Sequence, residues 1–213
     1  MENIPFSAQA ISIKAKSLAQ DVWYLIPTKN ASIKNSTTHI DWTPPPIGFF
    51  KLNTNGSAKG NPGLVAAGGL IRDHNGSWIA SFTKSIGFTH PIAAELQGLM
   101  EGLALVKNLN IRNLLIEINA KAVTDIISSQ NDTSFVTHPY SNLILECRSL
   151  LRCFEDAWIN HTHREGNYCA DILAKEGIFS SSSFVYHSSP PYCIMYQLLA
   201  DAWGVCYPKH CIS

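Results

Sequence analysis

The sequence predicts an α/β fold, a mixed five-stranded sheet with helices on both faces, and three observations predict it. Between residues 48 and 84 three strand-like runs follow one another with only turn chemistry between them, so they must pair antiparallel. From Pro91 the apolar period changes to helical spacing, with Leu96, Leu99, Leu103 and Val106 three or four apart. Beyond that helix, strand and helix patterns alternate to Gly177, and connections of that length allow strands to run parallel.

The elements follow in order. Residues 1–41 read as an extension and linker, with a helix pattern at 10–24 and a polar run at 28–38. Trp42 and the three prolines at 44–46 form a stiff extended segment that opens the domain. The first strand covers about 48–54, and the Gly, Asn, Ser and Pro content after it predicts a loop, which places Asn55 exposed at a strand's carboxyl end. The second strand spans Val65 to Ile71. Asn75-Gly76 supplies the two left-handed positions of a type I′ turn, and the third strand returns over Trp78 to Lys84.

In the helix from 91 to 109, Glu95, Gly98 and Gly102 share one stripe. Interior helix glycines cost about 1 kcal/mol each, a cost offset where the stripe packs closely on a sheet. Asn113 to Ile118 reads as a buried strand ending at Asn119, followed by helices at 120–128 and 141–154 and a last strand at 158–163. Asn167 is a candidate N-cap for a helix over 168–176 that Gly177 closes. Residues 178–213 read as a tail with a terminal helix near 193–203.

Composition bounds the function classes. The 213 residues, 46% of them hydrophobic, suffice for one core. Sixteen Lys and Arg balance sixteen Asp and Glu, so bulk charge gives no nucleic-acid footprint and binding must rest on local residues. The six cysteines include no C-x-x-C pair, which disfavours zinc and predicts reduced thiols. No apolar stretch of about 18 residues is present, nor an amino-terminal leader, so the expectation is an intracellular chain, nuclear or cytoplasmic, away from membranes and monomeric by default.

Three stretches carry a specific resemblance. They are Asn53-Thr54-Asn55-Gly56-Ser57 leading into Gly60-Asn61-Pro62-Gly63, then Ala93-Ala94-Glu95-Leu96, then His161 to Ala174 with Arg164-Glu165-Gly166-Asn167 and Ala170-Asp171. In this order over residues 42–177 they resemble the ribonuclease H family, in its plant and retroelement-derived, reverse transcriptase-like branch. Pro190-Pro191 and Ala200-Asp201 resemble the ending of such chains.

The resemblance implies a metal-dependent endonuclease that cuts RNA in RNA–DNA hybrids, with four carboxylates holding two divalent ions. The matching positions here are Asn55, Glu95, Asn119 and Asp171, with His161 as the loop histidine that assists proton transfer. Two of the four have lost their charge. Mg²⁺ or Mn²⁺ prefers carboxylate anchors, so at best one weakly held ion is expected, and Glu117 stands too far from the strand end to replace Asn119. Asn61 matches a segment that touches the hybrid's minor groove, while Lys59, Lys121 and Arg164 are candidate phosphate contacts.

Each residue also has a plainer reading. Asp171 is favoured near a helix amino end by the helix dipole, Asn55 is an ordinary turn residue before glycine, and Asn119 an ordinary N-cap. The expectation is therefore a nucleic-acid-binding domain whose cleavage is impaired. Its alternatives are an active hybrid ribonuclease that tolerates both asparagines and a protein-binding scaffold.

Overall fold

In the computed structural model, which describes residues 37–129 and 134–210, the apolar runs of the first half build an antiparallel meander. After a short strand β1 (Thr37–Ile40) come β2 (Phe50–Gly60), β3 (Gly63–Arg72) and β4 (Trp78–Thr89). They are followed by α1 (Pro91–Asn108), β5 (Asn113–Ile118), α2 (Lys121–Ser128), α3 (Ser141–Leu151) and β6 (Asp156–His161). The chain continues through a 3-10 turn (Arg164–Asn167) to α4 (Tyr168–Phe179), β7 (Phe184–His187), α5 (Met195–Ala202) and β8 (Tyr207–His210). The pattern at residues 10–24 and most of the expected linker lie outside the described residues.

The main sheet has six strands in the order β6-β5-β2-β3-β4-β7, and β1 pairs with β8 in a separate two-stranded ribbon. β2 runs parallel to β5 and antiparallel to β3, so the meander and the helix-connected strands meet at β2. The sequence predicted five strands; the sixth, β7, comes from the segment read as a tail. Its four residues give too short an alternation to signal a strand, and contacts made only in the fold hold it. Phe184 stacks on the buried Phe82 with ring centroids 5.9 Å apart, and His187 Nε2 lies 3.1 Å from Thr83 Oγ1.

Two local expectations are corrected. β2 does not stop at Thr54 but continues to Gly60, because Gly56, Ser57 and Ala58 are small enough to pair with Ala67, Ala66 and Val65. Asn55 is therefore buried within a strand, at 2% exposure, rather than exposed at its end. The turn at Asn75-Gly76 is not type I′ either: Gly76 is left-handed at φ 78°, and Asn75 is not. The Asp73 carboxylate accepts the N–H groups of Asn75 (2.9 Å) and Ser77 (2.8 Å), which favours an Asp-nucleated loop over two left-handed residues.

Leu96, Leu99, Leu103 and Val106 of α1 pack with Leu52, Leu114, Ile116 and Ile118 in the main core, with Ile144 and Cys147 of α3 behind them. A Cβ at Gly102 would stand 2.9 Å from Leu52 Cδ2, so the glycine stripe lets α1 settle on β2. α4 covers β2 and β3 from the other face, where a Cβ at Gly68 would come within 2.3 Å of Ala174 N. Cys147, Cys153, Cys169, Cys193 and Cys206 are free thiols. No helix among the described residues is long and apolar enough to cross a membrane.

The carboxyl-terminal segment is tied to the sheet by charge. Arg72, 1% exposed at the end of β3, donates Nη1 to Asp201 Oδ2 of α5 at 2.6 Å and Nη2 to Asn53 Oδ1 at 3.2 Å, and its guanidinium lies 3.6 Å from the Trp42 ring centroid. Gln197 Nε2 donates to the other Asp201 oxygen at 2.7 Å. A buried cation without its counter-ion costs about 3–5 kcal/mol. Asp201→Ala is therefore expected to lower unfolding free energy in urea by about that amount, and a loss below ~1 kcal/mol would show that the pair does not hold the segment.

Candidate functional site

β2 leaves its parallel partner after the Thr54–Ile118 pairing, and the next two residues organise the site. Asn55 faces α4 and donates Nδ2 to Asp171 Oδ1 at 3.1 Å. Gly56 offers its backbone N–H to Glu95 Oε2 of α1 at 2.9 Å. Acidic residues from two helices on opposite faces of the sheet thus meet at consecutive residues of one strand. Asn167, buried at 1%, occupies the N-cap position of α4 as expected but caps no backbone N–H with its side chain: its Nδ2 donates to Thr54 O at 2.9 Å and fastens the turn before α4 to β2.

Asp171, in the first turn of α4, is held by cations. Arg164 Nη2 lies 2.8 Å from Asp171 Oδ1 and 3.1 Å from Oδ2, and Lys175 Nζ lies 2.6 Å from Oδ2. The Asp171 side chain is 5% exposed, whereas those of Arg164 and Lys175 are 55% and 51% exposed. Burial pushes the Glu95 carboxyl up to about 8, with nearby Asp171 adding to the rise and the Gly56 N–H opposing it. Glu95 is therefore mostly protonated at neutral pH. Asn55 Oδ1, Asn119 Oδ1 and Asn167 Oδ1 are buried acceptors without a hydrogen-bond partner among the described residues.

The other candidates make contacts of their own. Asn119 directly follows Ile118, the partner of Thr54 on β2, and His161 ends β6, where its Nε2 is 3.2 Å from Asn119 O; Asn119 caps no helix with its side chain. Lys59 stands over the Phe179 ring, 4.0 Å from its centroid. Asn61 Oδ1 is 3.0 Å from His90 Nδ1, beside an open groove of about 550 Å³ that Tyr140 and His138 also line. Lys121 pairs with Asp125 on the surface. Glu117 is taken by Lys51 at 2.5 Å and by Asn53, so it does not reach the site.

Lys175 was missed by the sequence reading, although its place four residues after Asp171 on a helix is a usable signal.

Residues 53–177 match the reverse transcriptase-like family. The chain is 31% identical over 170 residues to the "Putative ribonuclease H protein At1g65750" of Arabidopsis thaliana; this covers 80% of the chain and 27% of that protein, so the chain spans about a quarter of its relative's length. The chain belongs to the reverse transcriptase-like, ribonuclease H-type family. Its fold is shared with ribonuclease H1 of the archaeon Halobacterium salinarum at 25% identity and a TM-score of 0.57, over 62% of this chain and 98% of that one. It is shared too with the LC11 ribonuclease H1, solved in complex with an RNA/DNA hybrid, at 20% identity and a TM-score of 0.54, over 61% and 96% of the two chains.

For a ribonuclease H-type domain the implied cofactor is a pair of divalent ions, and the residues present do not fit them. Among the described residues no three His, Cys, Asp or Glu side chains group as a metal site. Asn55 turns a donor rather than an acceptor toward Asp171, and both Asp171 oxygens already meet protein cations.

Two predictions follow from this electrostatics. The unfolded Glu95 carboxyl titrates near 4.5 and the folded one near 8, so the folded state binds the extra proton and stability falls as pH rises through that window. Glu95→Gln, which keeps an acceptor for Gly56, should match the wild-type unfolding free energy at acid pH and exceed it above pH ~8, by on the order of 2–4 kcal/mol. A gap that does not widen with pH would place Glu95 in water. Asn55→Asp replaces a donor by a like charge beside Asp171, so in EDTA it should lower the melting temperature by roughly 3–8 °C, and Mg²⁺ should recover part of the loss. A rise in EDTA would mean that residue 55 does not face Asp171.

Proposed function

We propose that this chain is a nucleic-acid-binding domain of the ribonuclease H type in which hybrid cleavage is lost. The observation that carries the reading is the state of Asp171, whose two carboxylate oxygens are held by Arg164, Lys175 and the Asn55 amide. Hydrolysis in this family uses dications that activate a water and stabilise the leaving oxygen. Here Glu95 and Asp171 are the carboxylates that remain, and Glu95 is largely neutral near pH 7. Such a set anchors at most one Mg²⁺ or Mn²⁺ ion, weakly.

An RNA–DNA hybrid is the preferred ligand on this reading, supported by the hybrid held by the LC11 enzyme and by the family membership. Asn61 and Lys59 on the β2–β3 hairpin and Arg164 beside the site are the proposed contacts, with His161 and Asn119 together at the ends of β6 and β5.

The test is cleavage of a labelled hybrid in Mg²⁺ or Mn²⁺. Wild type should leave it intact. The double variant Asn55→Asp with Asn119→Asp should cut it, since both changes are isosteric and rebuild four carboxylates, and adding Asp171→Asn should silence it again. Neither single restoration should suffice. Because Asn55 precedes Gly56, deamidation would create the acid unaided, so the mass of each sample is checked alongside. Cleavage by intact wild type overturns the reading. A folded, Mg²⁺-binding double variant that leaves hybrids uncut would move the defect to substrate binding around Asn61 and His161.

A further inference from the structure

We propose that Arg164 and Lys175 form a phosphate-binding notch that takes a backbone phosphodiester of the nucleic acid without any metal ion. The inference rests on the nucleic-acid reading above and names the groups that carry its affinity. Arg164, Lys175 and Asp171 together sum to one positive charge, because two cations converge on one carboxylate. The arrangement is lopsided in exposure as well as charge. The carboxylate is buried at 5%, while the two cationic side chains are 55% and 51% exposed, so the net charge faces solvent.

Donor capacity points the same way. Arg164 reaches Asp171 through Nη2 alone, and Lys175 makes one contact to Oδ2, although a guanidinium has five N–H donors and an ammonium three. The remaining donors belong to side chains that are 55% and 51% exposed. A phosphodiester supplies two acceptor oxygens and one negative charge, and a guanidinium edge matches that pair of oxygens in plane. In a metal-loaded site dications hold the phosphate. Here the turn before α4 and the second turn of α4 place protein cations beside the same carboxylate.

Contacts of this kind position a backbone and read no sequence, and they make affinity fall with salt. The experiment is fluorescence anisotropy with a labelled RNA–DNA hybrid, over a salt series of about 50–200 mM, in EDTA and again in Mg²⁺. Wild type should bind equally in the two buffers, within about twofold. Arg164→Gln and Lys175→Gln should each weaken binding by about fivefold or more at low salt, alike for unrelated hybrid sequences, and each should reduce the log–log salt slope by about one. Arg112→Gln, which removes an exposed cation paired with Glu155 and outside the site, should leave the slope unchanged.

Asp171→Asn gives a second readout, since it frees both cations from their carboxylate and should tighten binding in EDTA. The melting temperature of each variant is taken in parallel, so that a misfolded sample is not read as a lost contact. Loss of wild-type binding on chelation overturns the inference by assigning the phosphate to a metal. Wild-type slopes in Arg164→Gln and Lys175→Gln, or unchanged or weaker binding in Asp171→Asn, overturn it while leaving the nucleic-acid reading intact. Failure of wild type to bind any hybrid at low salt overturns both.

Discussion

A side chain at residue 56 would have no room. An added Cβ would stand 2.7 Å from the backbone nitrogen of Glu95 and 2.9 Å from the Ala94 Cβ, so α1 can lie on β2 only because Gly56 carries none. That approach brings the Glu95 carboxylate onto the Gly56 N–H, and the alternation of the strand turns Asn55 to the opposite face, toward Asp171 of α4. β2 is also the strand on which the antiparallel meander and the parallel half of the sheet meet. The backbone that organises the sheet is thus the backbone that assembles the site, and the burial that raises the Glu95 carboxyl toward 8 is a consequence of that packing.

The charge of Asp171 is met within the chain. An aspartate at residue 55 would set two carboxylates side by side, an arrangement that holds together only when one takes a proton or a cation lies between them. Asparagine has nearly the same shape but donates, and the contact with Asp171 Oδ1 becomes a hydrogen bond of 3.1 Å. Arg164 and Lys175 then more than balance Asp171 and leave one net positive charge. The side-chain oxygens of Asn55 and Asn119 are buried acceptors without a hydrogen-bond partner among the described residues.

Much of this was legible in the sequence. The helical spacing of Leu96, Leu99, Leu103 and Val106 gives α1, and the Glu95, Gly98, Gly102 stripe gives the face it turns to the sheet. The local motifs around residues 55, 95 and 171 are brought together by contacts of Asn55 with Asp171 and of Gly56 with Glu95. What escaped depends on contacts distant in sequence. Arg72 is a residue type expected in water, yet it is buried, because Asp201 arrives from 129 residues away and Trp42 covers the guanidinium. No local pattern announces that partnership, so the segment after Gly177 looked like a tail when it supplies β7 and the counter-ion. Asn55 looked exposed for a related reason: the Gly-Ser-Ala stretch after it reads as loop, and only the small residues facing it on β3 let the strand continue.

The zero net charge of the whole chain and the positive character of the Arg164–Lys175 pair are compatible, because a bulk sum says nothing about where charges meet. The same logic gives the two asparagines a direction. A cage of four acids is repulsive when empty and becomes favourable only with its ions, so its folding is coupled to metal. Replacing two of the acids removes the repulsion whether metal is present or absent, and the domain keeps its cleft, its hairpin and its helix contacts. On the proposed reading, stability and hydrolysis are opposed at residues 55 and 119, the trade-off common where catalytic groups are crowded together. Nothing in that exchange disturbs Arg164, Lys175 or Asn61. On the reading proposed above, such a site lacks the charge needed to hold two dications while keeping the charge needed to meet a phosphate.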